Sequence, residues 1–272
     1  MIAALALSTS LVSAQVVLDQ VPELQGVDVV EHLGQTIPLN LTFTDDAGRT
    51  VTLGDYFANH TPVLLTLGYY ECPMLCNLVL NGVIEASKKL SWRPGQEYRI
   101  VTVSIDPLET SELAAAKKRN YIEKLGIAGA DAGWAFLVGD ESQSRALADA
   151  VGFRYVYDST SGQYAHPAVI MLMSPDGKIT RYLYGISFSE RDLRLALFEA
   201  SEGKIGSTLD RIILSCYHYD PNAKGYVLFA TKLMRLGGAA SLFVITVTLG
   251  TLWLRERRRL RRRTVWVHDP RA

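Results

Sequence analysis

Residues 62–69 read PVLLTLGY, an almost unbroken apolar run, and no other segment constrains the fold so tightly. A strand that is apolar at successive positions buries both faces. Its sheet then needs helices on each side. Residues 98–105 (YRIVTVSI) repeat the signal. Between the two runs, Leu78, Val79, Gly82, Val83, Ala86 and Leu90 recur at helical spacing.

The rest of the chain keeps alternating. Leu41-Thr42-Phe43 reads as a strand, Asp45-Asp46-Ala47-Gly48 as a turn, and Thr50–Leu53 as its continuation. A helix is predicted over Ser111–Leu125, a strand over Trp134–Val138, and an amphipathic helix over Asp140–Val151 with an acidic cap. Arg154–Tyr157 extends. Pro167–Met173 and Lys178–Tyr184 form a hairpin around Ser174-Pro175-Asp176-Gly177. Ser189 caps a closing helix to Ala200, with Asp192 three residues on. Interleaved strands and helices define an α/β layered fold.

At 272 residues, 48% hydrophobic and 21% charged, the chain suits one or two domains and is not globally disordered. Three cysteines are too few for a disulfide scaffold. The zero net charge hides an asymmetry. Residues 15–235 carry 20 basic and 26 acidic groups, whereas residues 255–272 carry eight Arg against Glu256 and Asp269. An acidic domain cannot neutralise phosphates, which excludes nucleic acid as a partner.

The basic tail follows residues 236–254 (LGGAASLFVITVTLGTLWL), nineteen residues without a charge. As a helix they span about 28 Å, close to a bilayer's hydrocarbon thickness. Trp253 lies at one end, where amphipathic rings favour the interface. The reading is one transmembrane helix with its Arg-rich flank, residues 255–272, in the cytoplasm and the main domain on the extracytoplasmic, periplasmic side. Residues 1–14 read as a signal peptide ending in Val12-Ser13-Ala14, too short to span a membrane as an anchor. The lack of a positive n-region points to a true start other than Met1. Residues 15–38 are a lead-in, 39–200 the folded domain and 201–235 a juxtamembrane connector.

The chemistry concentrates in Cys72-Pro73-Met74-Leu75-Cys76, between the first buried strand and the first long helix. Side chains four apart share a helical face, so both sulfurs can reach one point. A helix N-terminus also favours thiolate. Three readings stay open: a structural disulfide, a dithiol redox centre, or a pair of metal ligands. A bridge four residues apart constrains little chain, and redox dithiols usually carry Cys-x-x-Cys. A metal needs a further ligand, and His166, at the mouth of the strand from Ala168, is the candidate. Two thiolates and an imidazole suit copper in either oxidation state, and zinc as well.

Several features then occur in order: Tyr69-Tyr70-Glu71-Cys72-Pro73-Met74-Leu75-Cys76, Val103-Ser104-Ile105-Asp106-Pro107, Gly133-Trp134-Ala135-Phe136-Leu137, and His166 followed by strand, Pro175-Asp176-Gly177-Lys178 and strand. This set, over roughly residues 39–200, resembles the Sco/SenC family of membrane-tethered, thioredoxin-like copper proteins. The resemblance implies a thioredoxin-like central sheet flanked by helices, with Cys72, Cys76 and His166 as copper ligands. It further implies a metallochaperone that delivers copper to the binuclear site of cytochrome c oxidase subunit II, or to another copper enzyme. The alternative is a thiol–disulfide reductase, with Cys72 and Cys76 redox-active, that keeps the target's cysteines reduced. Asp106-Pro107 matches a family motif and reads either as docking surface or as a turn. Three departures stand out: Ala165 where the family usually has Asp, Asn77 where a Pro often follows, and a C-terminal rather than N-terminal tether.

Ser215-Cys216-Tyr217-His218 forms a second cluster, in which Cys216 and His218 are secondary metal candidates or Cys216 a resolving thiol. His32, His60 and His268 receive no role. No Arg flanks Cys72, which counts against a peroxidase, and residues 255–272 are too few for a signalling domain.

Overall fold

The computed structural model of the protein describes residues 26–202, 217–220, 225–228, 238 and 241–255. In chain order the strands and helices begin with β1 (Asp28–Val29), β2 (Thr42–Asp45), β3 (Thr50–Thr52) and β4 (Val63–Gly68). Next come α1 (Leu75–Lys89), β5 (Arg99–Ser104), α2 (Ser111–Leu125), β6 (Trp134–Val138) and α3 (Glu141–Ala150). They are followed by β7 (Phe153–Arg154), β8 (Val156–Asp158), β9 (Gln163–Ala165), β10 (Val169–Met173), β11 (Ile179–Tyr184) and α4 (Glu190–Ala200). A last hairpin joins β12 (Tyr217–Asp220) to β13 (Gly225–Leu228).

Seven strands make one mixed sheet in the order β11-β10-β4-β5-β6-β2-β3. Strands β4, β5 and β6 are parallel neighbours, as their apolar runs require. The β2–β3 hairpin joins antiparallel at the β6 edge, and β10 joins antiparallel to β4. Side chains alternate between two apolar clusters. Leu64, Ile100, Phe136 and Leu172 face α1, α2 and α4, while Leu65, Val101, Leu137 and Met171 face α3. The sheet is thus the middle layer of three. Fully burying one such side chain contributes about 2 kcal/mol.

The helices begin where their caps are. The side chains of Thr110, Asp140 and Ser189 accept the backbone N–H groups of Leu113, Gln143 and Asp192. Helix α2 ends on Gly126 at φ 64°, a left-handed stop that glycine adopts without strain. Helix α1 packs so closely on the segment after β11 that a Cβ at Gly82 would sit 2.4 Å from the Ile186 carbonyl oxygen.

Some expectations change in detail. The extended segment over Arg154–Tyr157 is two strands, because buried Tyr155 separates β7, paired with β1, from β8, paired with β9. Part of the expected lead-in is integrated: Ile37 is buried, and Thr36 bridges to Lys178. Among the described residues no helix is long and apolar enough to cross a membrane. Residues 241–255 are helical, and apart from 238 the rest of the 236–254 run lies outside the described residues. So do the expected signal peptide at 1–14 and the tail beyond 255.

Candidate metal centre

In this sheet the carboxyl ends of β4, β5 and β6 lie on one side, the usual place for a site in open α/β sheets. The chain leaves β4 at Gly68, crosses residues 69–74, and enters α1 with Cys76 as its second residue. No side chain caps α1 from Met74. Instead the Cys76 N–H donates to Cys72 Sγ at 3.3 Å. One of the unpaired amides at the helix start is thereby satisfied by sulfur, and the positive end of the helix faces that thiol. The Tyr69 N–H points to Cys76 Sγ at 3.5 Å. Gly68 makes room, since a Cβ there would lie 3.0 Å from that sulfur.

His166 arrives from the other side of β4. Because β10 runs antiparallel to β4, the chain just before β10 lies beside the end of β4, where the sulfurs are. His166 Nε2 lies 2.7 Å from Cys76 Sγ. Its Nδ1 is 3.0 Å from the Pro167 carbonyl, which can only accept, so Nδ1 carries a proton and Nε2 is the ring nitrogen turned to the sulfurs. The ring packs against Tyr69 and Phe153. The donor atoms of Cys72, Cys76 and His166 all lie within 4.8 Å of one another, and all three residues are buried.

Electrostatics divides the two thiols. The hydrogen bond with Cys76, and then that with His166, hold the Cys72 thiol down at about 3 against the opposing effect of burial. Cys76 is pushed far above the usual thiol range by its hydrogen bond to Cys72 and by burial. Both thiols are free. The arrangement therefore offers one thiolate, one thiol able to release its proton to an incoming cation, and one imidazole. Two soft sulfurs and a nitrogen fit copper, with Cu(I) favoured by the thiolates.

The other predicted residues fall elsewhere. Asp106 is a turn residue, its Oδ1 accepting the Leu108 N–H at 2.9 Å. His32 bonds through Nδ1 to the Ala150 carbonyl, a structural contact. Cys216 and His268 lie outside the described residues. His218 is in β12, opposite Val227. Two residues of the loop's surroundings take a role that the sequence does not assign them. Glu109 bonds the backbone of Tyr70 and Glu71, and Asn77 bonds the Cys72 carbonyl. An Asp or Glu after a strand-ending turn is too common to single out. Asn77 was visible only as a departure from the family pattern.

No curated protein matches the chain significantly. A sequence profile described as SCO1/SenC matches residues 31–194. Among solved structures, a candidate electron transfer protein from Aquifex aeolicus VF5 is similar at 26% identity and a TM-score of 0.56, over 63% of this chain and 96% of its own. ScoI of Arabidopsis thaliana, solved with copper bound, is 20% identical with a TM-score of 0.46, over 62% of this chain and 98% of its own. BsSco, described as a member of the Sco family of cytochrome c oxidase assembly proteins with a disulfide switch, is 21% identical with a TM-score of 0.48, over 66% and 99%. The fold is thioredoxin-like, a central mixed sheet between helices, and the profile covers more than half of the sequence, so the chain belongs to the SCO1/SenC family.

Proposed function

We propose that this protein is a copper metallochaperone that binds copper through Cys72, Cys76 and His166. The observation that carries the reading is the convergence of two sulfurs and one imidazole nitrogen in a buried cluster, from residues ninety positions apart. Ligands that exchange one at a time suit release, because incoming thiolates can replace them without exposing a bare cation. The target is a copper enzyme, with the binuclear site of cytochrome c oxidase subunit II as the first to examine. A dithiol reductase needs no imidazole on its second sulfur, so the Cys76–His166 contact favours metal holding over thiol reduction.

The proposal extends to placement. A signal peptide at residues 1–14 and an anchor at residues 236–254 would hold the domain on the extracytoplasmic, periplasmic side, with residues 255–272 in the cytoplasm. Support comes from the uncharged run and its Arg-rich flank. Within helical residues 241–255, Leu242, Phe243, Val244 and Leu249 are exposed, and Thr246 and Thr248 turn their hydroxyls back onto carbonyls four residues earlier. That satisfies the hydroxyls without water.

The test is anaerobic titration of the reduced full chain with Cu(I). One copper per chain is expected, lost in the Cys72→Ala, Cys76→Ala double variant. Unchanged tight binding in that variant would refute the assignment.

A further inference from the structure

The loop that carries Cys72 belongs to neither the sheet nor a helix, so its backbone groups need partners from outside. Pro73 has no N–H, and the Cys72 N–H reaches the Tyr69 carbonyl at 3.3 Å. The Tyr69 N–H is turned to Cys76 Sγ, and the N–H groups of Tyr70 and Glu71 go to one side chain. Glu109 Oε2 accepts the Tyr70 N–H at 2.8 Å, and its Oε1 accepts the Glu71 N–H at 2.7 Å. The same carboxylate accepts the Ser104 hydroxyl at the end of β5, which fastens it to the sheet.

The far side of the loop is held separately. Asn77 Nδ2 donates to the Cys72 carbonyl at 2.8 Å. Its Oδ1 accepts the Tyr121 hydroxyl at 2.8 Å and faces Lys117 Nζ at 3.4 Å, both on α2. A proline in place of Asn77 could make none of these three contacts. The loop is thus tied to β5 at Tyr70 and Glu71 through Glu109, and to α2 at Cys72 through Asn77, while the Cys72 sulfur faces Cys76 and His166.

We propose that Glu109 and Asn77 are positioning residues of the copper site, clamping the Cys72 loop from its two sides so that the Cys72 sulfur is set in place before metal arrives. The inference rests on the copper reading above and adds the supports that make it pre-organised. Groups that orient metal ligands from behind typically account for about 10–100-fold in affinity.

The variants Glu109→Gln and Asn77→Ala test it in the full chain. Glu109→Gln keeps the size of the side chain but turns an NH₂ toward one of the two backbone N–H groups, donor against donor. Three readouts are taken: Cu(I) affinity by competition with a chromophoric chelator, the thiolate-to-Cu(II) charge-transfer band, and amide exchange at Tyr70 and Glu71 in the metal-free chain. Each variant is expected to weaken Cu(I) binding about 10–100-fold and to shift the band. Glu109→Gln should also speed exchange at both amides. If Glu109→Gln does not fold, Asn77→Ala and Ser104→Ala carry the test, the latter removing one of the carboxylate's anchors. Wild-type affinity and band in the folded variants, even with lowered thermal stability, overturn the inference and leave the copper reading intact. A wild-type chain that takes up no Cu(I) sinks the copper reading itself, and this inference with it.

Discussion

His166 Nε2 sits 2.7 Å from Cys76 Sγ although ninety residues separate them along the chain. The contact follows from topology. Strand β10 runs against β4, so the segment ahead of β10 meets the segment leaving β4. The ring's other nitrogen is engaged by the Pro167 carbonyl, and Tyr69 and Phe153 limit its tilt. The nitrogen that faces the sulfurs is therefore fixed before any ligand binds.

His166→Ala tests what that nitrogen does. Loss of a metal donor is expected to lower Cu(I) affinity by at least about tenfold while both sulfurs remain. The vacated space among Tyr69 and Phe153 is expected to cost about 1–3 kcal/mol of folding stability. Chelator competition and urea unfolding separate the two effects. Affinity equal to wild type removes the imidazole from the site.

The reduced, metal-free chain is expected to carry one thiolate even in mildly acid solution. Cys72 is held at about 3, first by Cys76 and then by His166, so its absorbance should persist at about pH 5, where an ordinary thiol is protonated. Cys72→Ser should abolish that ultraviolet band. Cys76→Ala should move its titration upward, because the first of the two supports is gone. A band that appears only above neutral pH in wild type contradicts this division of the two sulfurs.

Gly82→Ala probes the packing behind the site. A Cβ there would meet the Ile186 carbonyl oxygen at 2.4 Å, and backbone does not give way as a side-chain tip would. The expected loss is about 1–3 kcal/mol, read as a lower urea midpoint at an unchanged slope. A wild-type midpoint would mean that α1 can shift on the sheet at little cost.

What the sequence could announce was local. Ser111–Leu125 and Trp134–Val138 are the observed bounds of α2 and β6, because caps and apolar runs are written in neighbouring residues. The two cysteines stood out for the same reason. The direction of β10 against β4 was not legible, since an apolar run reads alike in a parallel or antiparallel neighbour. The break at Tyr155 was hidden too, because it depends on a ring buried under the Arg145 guanidinium, 3.8 Å away. Glu109 and Asn77 act on backbone atoms of a loop that has no sequence pattern of its own, so no motif could mark them.

The Glu109 carboxyl gives the pH dependence of the clamp a definite sign. Burial raises it above its ordinary 4.5 and the charge of Asp106 adds to this, against the Ser104 hydroxyl and the two backbone N–H groups, which lower it. An acid raised in the folded state binds its proton more tightly there than in the unfolded chain. Its contribution to stability is complete below the unfolded value, shrinks as pH rises, and is gone above the folded value. Other carboxylates titrate in the same range, so the quantity to measure is the difference between wild type and Glu109→Gln, by urea unfolding from about pH 4 to about pH 7. Wild type should lose stability relative to the variant as pH rises through the shifted value, then run parallel to it. A difference that stays constant, or grows with pH, would show that hydrogen bonding outweighs burial at this carboxylate.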